Sequence, residues 1–162
     1  MAEQSNVIQI SHPPDVLLRV INPALKLLLR TPFAGPARNQ LMVVNFTGHK
    51  SGRHYSIPLS AYLIDDNLYA MTAATWKYNF RDGATAHVLH DGKTRTLHGK
   101  LITDHALVAD LYSRLAESYG VKRAERSMGL KFPHQQIPTR DDFAEAVDRL
   151  HLAAIRFTPA AD

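Results

Sequence analysis

Cysteine is absent from all 162 residues, which excludes disulfides and thiolate metal ligands. That composition fits a reducing cytoplasm, and a cytoplasmic protein is the expectation. Long hydrophobic runs are missing too. Stretches such as Val16 to Leu18 and Leu27 to Leu29 fall far short of the roughly 20 apolar residues that a membrane-crossing helix needs. Met1 to Ile10 lacks a basic start followed by an apolar run, so no signal peptide is expected. No Gly-x-Ser-x-Gly elbow is present, and without cysteine there is no Cys-His pair; a hydrolase reading therefore has little support. Charge of one sign is scarce: 19 Lys and Arg against 15 Asp and Glu give a formal +4. That mild excess favours small anionic ligands. It is too weak to argue for nucleic acid, and no Lys/Arg block or recognition motif backs that partner. Internal repeats and low-complexity tracts are also lacking.

What is present suits one domain with a proper core, since 45% of the residues are apolar. Residues 1–10 read as a loose polar tail and residues 11–162 as a single domain. A short helix is expected from about Pro14 to Ile21. Asn22-Pro23, an N-cap with proline at the first helical position, opens another to about Arg30, and Thr31-Pro32 stops it. From Gln40 the pattern turns to strands: Leu41 to Phe46, Tyr55 to Ile64, Leu68 to Thr72, Thr85 to Leu89 and Lys93 to Ile102. Asp65-Asp66-Asn67 forms one turn, and Asp91-Gly92 carries a type I′ hairpin signal. Trp76 to Phe80 reads as a helical turn. Thr103-Asp104 caps a helix from His105 to Tyr119, whose apolar positions Leu107, Val108, Leu111, Leu115 and Ala116 follow the helical period; Gly120 ends it. Val121 to Met128 and Asp141 to Arg149 read as helical, and Leu150 to Phe157 as a last strand. The expected fold is α+β, with five or six antiparallel strands curled into a barrel and helices at the N-terminus and in the C-terminal half.

Two segments could carry chemistry. In Thr47-Gly48-His49-Lys50-Ser51-Gly52-Arg53 the glycines permit positive φ and close backbone approach. Lys50 and Arg53 bring charge, Ser51 a hydroxyl, and free N–H groups could form an anion nest, which is what a phosphate needs. The glycine spacing is not that of a Walker loop and no helix follows. The alternative is a solvated glycine-rich hairpin. In Trp76-Lys77-Tyr78-Asn79-Phe80-Arg81, Trp76 and Phe80 could wall a flat ring, and Asn79 could hold a neighbouring turn or a ring carbonyl. Alternatively Trp76 and Phe80, four apart, are a core pair. Nine histidines invite a metal, but His87 and His90 face opposite sides of a strand and His49 and His54 flank a flexible loop, so no metal site is expected. The leading helix, with Leu17, Leu18, Leu25, Leu27, Leu28 and Leu29 beside Arg19, Lys26 and Arg30, covers the open end of the barrel or else rests peripherally on a membrane surface.

In this order the segments resemble the deazaflavin (coenzyme F420)-dependent nitroreductase family, a branch of the split β-barrel flavin-binding superfamily. The resemblance lies in a strand ending in Thr47-Gly48-His49-Lys50-Ser51-Gly52-Arg53, a next strand with Pro58-Leu59, and a later Trp76-x-x-Asn79; it covers Leu41 to Ile102. It implies that Lys50, Ser51 and Gly52, with His49 and Arg53 beside them, meet the phosphate and tail of coenzyme F420. It further implies that Tyr55, Ser56, Ile57, Pro58 and Leu59 line the ring, that the backbone of Thr72, Ala73, Ala74 and Thr75 lies near it, and that Trp76 and Asn79 bound the pocket. The chain departs from the family pattern where only Ala73-Ala74-Thr75 separate the third strand from Trp76, at Tyr55, where the family often has arginine, and at Ser60, where it often has an aromatic residue. The resemblance implies hydride transfer from reduced deazaflavin to an organic small molecule such as an activated alkene, quinone or nitro compound. A proton would come from Tyr78, Tyr119, Ser60 or solvent. Two rival readings are an FMN-binding split-barrel oxidoreductase and a non-catalytic barrel for a lipid or tetrapyrrole. Both monomer and homodimer are compatible with such a barrel.

Overall fold

A computed structural model describes residues 6–11 and 37–160. The expected helices at Pro14–Ile21 and Asn22–Arg30, and with them the membrane-contact alternative, lie outside these residues. Within them the chain runs β1 (Gln9–Ile10), α1 (Ala37–Gln40), β2 (Leu41–Thr47), β3 (His54–Ser60), β4 (Tyr62–Ile64), β5 (Asn67–Thr72), a 3-10 turn at Thr75–Phe80, β6 (Ala84–His90) and β7 (Lys93–Ile102). Then come α2 (His105–Tyr119), α3 (Val121–Met128), β8 (Leu130–Lys131), a second 3-10 turn at Pro133–Gln135, α4 (Arg140–Leu150) and β9 (Ala153–Pro159).

Seven of these strands form one antiparallel sheet in the order β3-β2-β6-β7-β9-β5-β4. Its two edge strands, β3 and β4, are consecutive in the chain and separated only by Ala61. Laid flat, six strand spacings would hold the edges roughly 29 Å apart. A single intervening residue can span no more than about 7 Å. The sheet must therefore curl until its edges meet, and β3–β4 is one bent strand that serves both edges of a barrel. The continuous strand expected over Tyr55–Ile64 is thus broken at Ala61, whose N–H donates to the carbonyl of Gln40 at 2.9 Å.

Alternation along each strand sorts the side chains into two cores. Ala70 of β5, Ala86 and Val88 of β6, and Ile155 and Phe157 of β9 point into the barrel, where Phe46, Trp76 and Phe80 join them. The opposite faces of β4, β5 and β9 present Tyr62, Tyr69, Met71 and Ala154 to α2 and α4, which bury Val108, Leu111, Tyr112, Leu115, Phe143 and Val147 against them. Gly99 of β7 is required here: a Cβ would come within 2.7 Å of Phe80 and 2.8 Å of Phe157. Its absence lets both rings lie against the strand.

Local signals placed most boundaries. Asp91 and Gly92 both take positive φ (53° and 78°), as a type I′ hairpin demands. The Asp104 carboxylate accepts from the N–H groups of Ala106 and Leu107, capping α2. Three expectations fail. Leu150 belongs to α4, not to the last strand, because the apolar spacing of Phe143, Ala146, Val147 and Leu150 continues the helix until His151 turns left-handed at φ 56°. Strand β8 has no counterpart in the sequence reading. It pairs with β1, Gln9 opposite Lys131 and Ile10 opposite Leu130. The end of the expected loose tail is accordingly docked. Ile8 is fully buried, and its carbonyl accepts from Arg149 Nη2 at 2.5 Å.

Candidate functional site

Thr47–Arg53 links β2 to β3 as a self-bonded turn. Gly48 N–H donates to the Arg53 carbonyl at 2.7 Å, and Gly52 N–H to the Gly48 carbonyl at 3.1 Å. Arg53 N–H donates to Ser51 Oγ at 3.2 Å. His49 N–H donates to Asn79 Oδ1 at 2.8 Å. Gly52 holds φ at +66°, a region costly to residues with a Cβ. Four of the N–H groups that might have faced an anion are therefore already taken, which narrows the nest. What remains is the pair of consecutive amides at Lys50 and Ser51, the Ser51 hydroxyl as donor, and the exposed side chains of His49, Lys50 and Arg53. None of these three side chains has a carboxylate within ion-pair distance among the described residues. This donor set suits one phosphate group.

Asn79 connects the two segments singled out in the sequence. Its Oδ1 holds the turn, while its Nδ2 donates to the Trp76 carbonyl at 2.8 Å. Trp76 itself packs in the barrel core, tilted against Phe46 at 5.8 Å and edge-on to Phe80 at 6.2 Å. The core-pair reading describes its packing, and its indole N–H is buried without an acceptor among the described residues. Lys77 is also buried, only 3% exposed. Its ammonium donates to the carbonyls of Ala73 (3.2 Å) and His151 (2.5 Å), and desolvation lowers its pKa. It is a brace between the 3-10 turn and the end of α4. Tyr78 is exposed, with Lys77 and Arg81 each 5.0 Å from its ring centre.

Among the described residues, strand β3 has a strand partner on one edge only, β2. Ser56, Pro58 and Ser60 share one face. Tyr55, Ile57 and Leu59 lie on the other: Tyr55 stacks on Phe46 at 5.1 Å, Ile57 is buried in the barrel, and Leu59 packs against it. Ile57 can thus offer a ligand only its backbone. On the outer face Ser56 Oγ donates to Asn45 Oδ1 at 2.5 Å, and Asn45 Nδ2 to the His87 carbonyl at 3.0 Å. In the segment after β5, Ala74 is buried, its N–H donates to Thr72 Oγ1 at 3.0 Å, and the Ala73 carbonyl is held by Lys77; only Thr75 is exposed.

At the far end of β3 from the turn, about 23 Å away at strand spacing, lies a cleft of about 240 Å3. Gln40, Leu41, Ser60, Ala61, Tyr119, Arg123, Arg126 and Ser127 line it. It brings together Ser60 and Tyr119, two of the three candidate proton donors, and leaves out Tyr78. Ser60 Oγ donates to the Ser127 carbonyl at 2.9 Å, so its hydrogen is committed. Behind it, Tyr62 Oη lies 2.6 Å from Ser127 Oγ. Burial pushes the Tyr62 phenol up to about 12, against the opposing pull of its serine hydrogen bonds, so it stays neutral at physiological pH. The Tyr119 ring stacks with Tyr62 at 5.9 Å, and the Arg123 guanidinium lies 4.1 Å over it. Arg123, Arg126, Ser127 and Tyr62 were missed in the sequence. Arg123 and Arg126 are three apart on α3, a spacing that places them on one face.

The fold and site define a curled antiparallel barrel with helices on its outer face, an anion-suited turn, and a basic cleft joined to that turn by one strand. Among the described residues no helix is long and apolar enough to cross a membrane. No protein-family model and no curated protein matches the sequence. Among solved structures the chain is similar to a domain-swapped dimer, at 11% identity over 84% of this chain and 93% of that one, TM-score 0.48. It is similar to the conserved hypothetical protein Rv2991 from Mycobacterium tuberculosis, at 12% identity over 93% and 87%, TM-score 0.46. It is also similar to a proposed pyridoxamine 5'-phosphate oxidase from Listeria innocua, at 9% identity over 86% and 93%, TM-score 0.43. At these scores the likenesses add nothing to the site's chemistry.

Proposed function

We propose that the chain is a split-barrel oxidoreductase that binds the deazaflavin coenzyme F420 along β3 and reduces an organic acceptor in the cleft at the strand's end. The observation that carries this reading is the hydrogen bond from His49 N–H to Asn79 Oδ1. It joins the two motif halves, Thr47–Arg53 and Trp76–Asn79, into one structural unit at one end of β3, with the cleft at the other. Lys50, Ser51 and Arg53 would hold the phosphate. Ser56 and Pro58, and the edge of β3 that no strand among the described residues pairs with, would face the ring. When bound, the reduced cofactor supplies a hydride from its own ring carbon, so no protein nucleophile is needed. The chain's own task is to position the acceptor and supply a proton. Ser127 is best placed for the proton. Ser127 lines the cleft, and the neutral Tyr62 phenol, 2.6 Å from its Oγ, can replace the proton it gives and regain one from solvent through the same hydroxyl.

A second reading, FMN in the same place, is favoured by one feature: the donors left free in the turn suffice for a single phosphate and offer little to a longer anionic tail. The lipid or tetrapyrrole reading finds less support, because Phe80, Phe157 and Ile155 fill the barrel interior.

Separate fluorescence titrations of the purified chain with oxidised deazaflavin and with FMN decide between these. The expected result is micromolar deazaflavin binding that Lys50→Ala weakens about tenfold or more, ~1.4 kcal/mol. Binding of FMN alone would move the assignment to the second reading. Binding of neither would end the redox proposal.

A further inference from the structure

The geometry points to an anion-reading end in the cleft: Arg123 and Arg126 select an acceptor that carries a carboxylate or phosphate. This rests on the reading above only in taking the cleft's ligand to be the substrate. Side chains three apart on a helix stand about 5–6 Å from each other, a span that one carboxylate or phosphate can bridge with both guanidiniums. Both line the cleft, and neither has a carboxylate within ion-pair distance among the described residues. The acid that could have quenched them, Glu125, is turned away: its Oε2 accepts from Phe132 N–H at 2.7 Å. Arg123 is also held in place, its guanidinium 4.1 Å over the Tyr119 ring, so little conformational freedom is lost when an anion docks. A surface arginine of merely solvating role would be neither pinned nor deprived of its acidic neighbour. Ser127 lines the same cleft, with the buried Tyr62 phenol 2.6 Å behind its hydroxyl, which places the reducible part of the ligand next to a proton source while its charged end faces α3.

The test uses the full chain without cofactor and three probes: nitrobenzene, 4-nitrobenzoate and 4-nitrophenyl phosphate. They differ in the presence and kind of anionic group, so the two charged probes tell whether a carboxylate or a phosphate is preferred. Calorimetric titrations at low ionic strength should show at least one charged probe binding about tenfold or more tighter than nitrobenzene, with the advantage falling as salt is raised. Measured in a Lys50→Ala background, which weakens anion binding at the turn, the Arg123→Gln/Arg126→Gln double substitution should abolish that advantage and leave the melting temperature unchanged. Equal affinity for all three probes, or an anion preference that survives the double substitution, would overturn the inference. If anion preference at the arginines coexists with failure to bind deazaflavin, the cofactor reading falls and the cleft stands. If deazaflavin binds through Lys50 but no anion preference exists, the cleft inference falls alone.

Discussion

The two ends of β3 are built differently. The turn before it is a single contiguous segment, Thr47 to Arg53, stabilised by its own backbone and by Asn79 from the 3-10 turn. The cleft after it is assembled from four stretches: Gln40–Leu41, Ser60–Ala61, Tyr119, and Arg123–Ser127. Both are polar and basic. The turn's chemistry is spelled out by adjacent residue types, whereas the cleft's exists only once the barrel closes and α3 swings over Ala61. Functional chemistry held by a local segment can survive on its own hydrogen bonds. Chemistry held by four segments depends on the packing beneath all of them.

The largest effect should come from removing what both ends share. Phe80 is fully buried between Phe46, Trp76 and Phe157, and it closes the 3-10 turn that carries Asn79. Phe80→Ala should cost about 3–5 kcal/mol, and thermal melting should fall by roughly 6–20 °C. Turn and cleft binding should weaken together. Loss of one without the other would show that the ends are independent of the barrel core.

Alkaline pH should separate the cleft from the turn. The Tyr62 phenol sits at about 12 in the fold against 10.0 when exposed. Its contribution is therefore fully present below pH 10 and is lost as pH rises from 10 towards 12, on the order of 3 kcal/mol in all. Denaturant unfolding followed across that window should show the decline, and Tyr62→Phe should flatten part of it. An unchanged slope in the variant would mean that the phenol is not held neutral by burial.

Cutting the turn's tie to Asn79 is the next smaller effect. Asn79→Ala removes the acceptor of His49 N–H and the donor to the Trp76 carbonyl, a loss of about 1–2 kcal/mol. Deazaflavin affinity should drop by about tenfold while the cleft's anion preference is unchanged. Equal deazaflavin binding by the variant would show that the two motif halves do not act as one unit.

The same contrast explains what could be read in advance. Asp91-Gly92, Asp104 and Gly120 act on their immediate neighbours, so the hairpin and the ends of α2 were legible. The break at Ala61 was not. Ser60-Ala61-Tyr62 contains neither glycine nor proline, and the bend is imposed by closure of a sheet whose edges are sequence neighbours. Strand β8 is two residues long and exists because β1 lies beside it, a pairing with no local signal. For the site, Thr47–Arg53 was recognisable by composition, but its composition did not reveal that four N–H groups are spent internally. Arg123 and Arg126 looked like part of the solvated face of a polar helix. Their role depends on Glu125 turning to Phe132 and on Tyr119 lying under Arg123, neither of which α3 encodes by itself. Trp76 shows the converse: aromatic residue type left both a pocket wall and a core pair with Phe80 open, and the ring packs against Phe46 and Phe80.

The smallest expected effect probes the turn alone. Gly52 has φ +66°, and a Cβ there would meet nothing within 4 Å. Gly52→Ala is therefore free of steric conflict, and its cost is the left-handed backbone itself, about 1 kcal/mol. If the turn keeps its shape, stability falls by that amount and deazaflavin binding is nearly unchanged. If the turn instead relaxes to relieve φ, the Gly52 N–H to Gly48 carbonyl bond is lost. Melting would then hardly move, and affinity would fall because the Lys50 and Ser51 amides would no longer converge. Gly48→Ala makes the opposite test in the same segment, since its Cβ would lie 2.8 Å from both Ser51 Oγ and the Tyr55 ring and must displace one of them. Measured side by side, the two variants separate backbone conformation from side-chain crowding as the feature that shapes the turn, and neither should alter the cleft at the other end of β3.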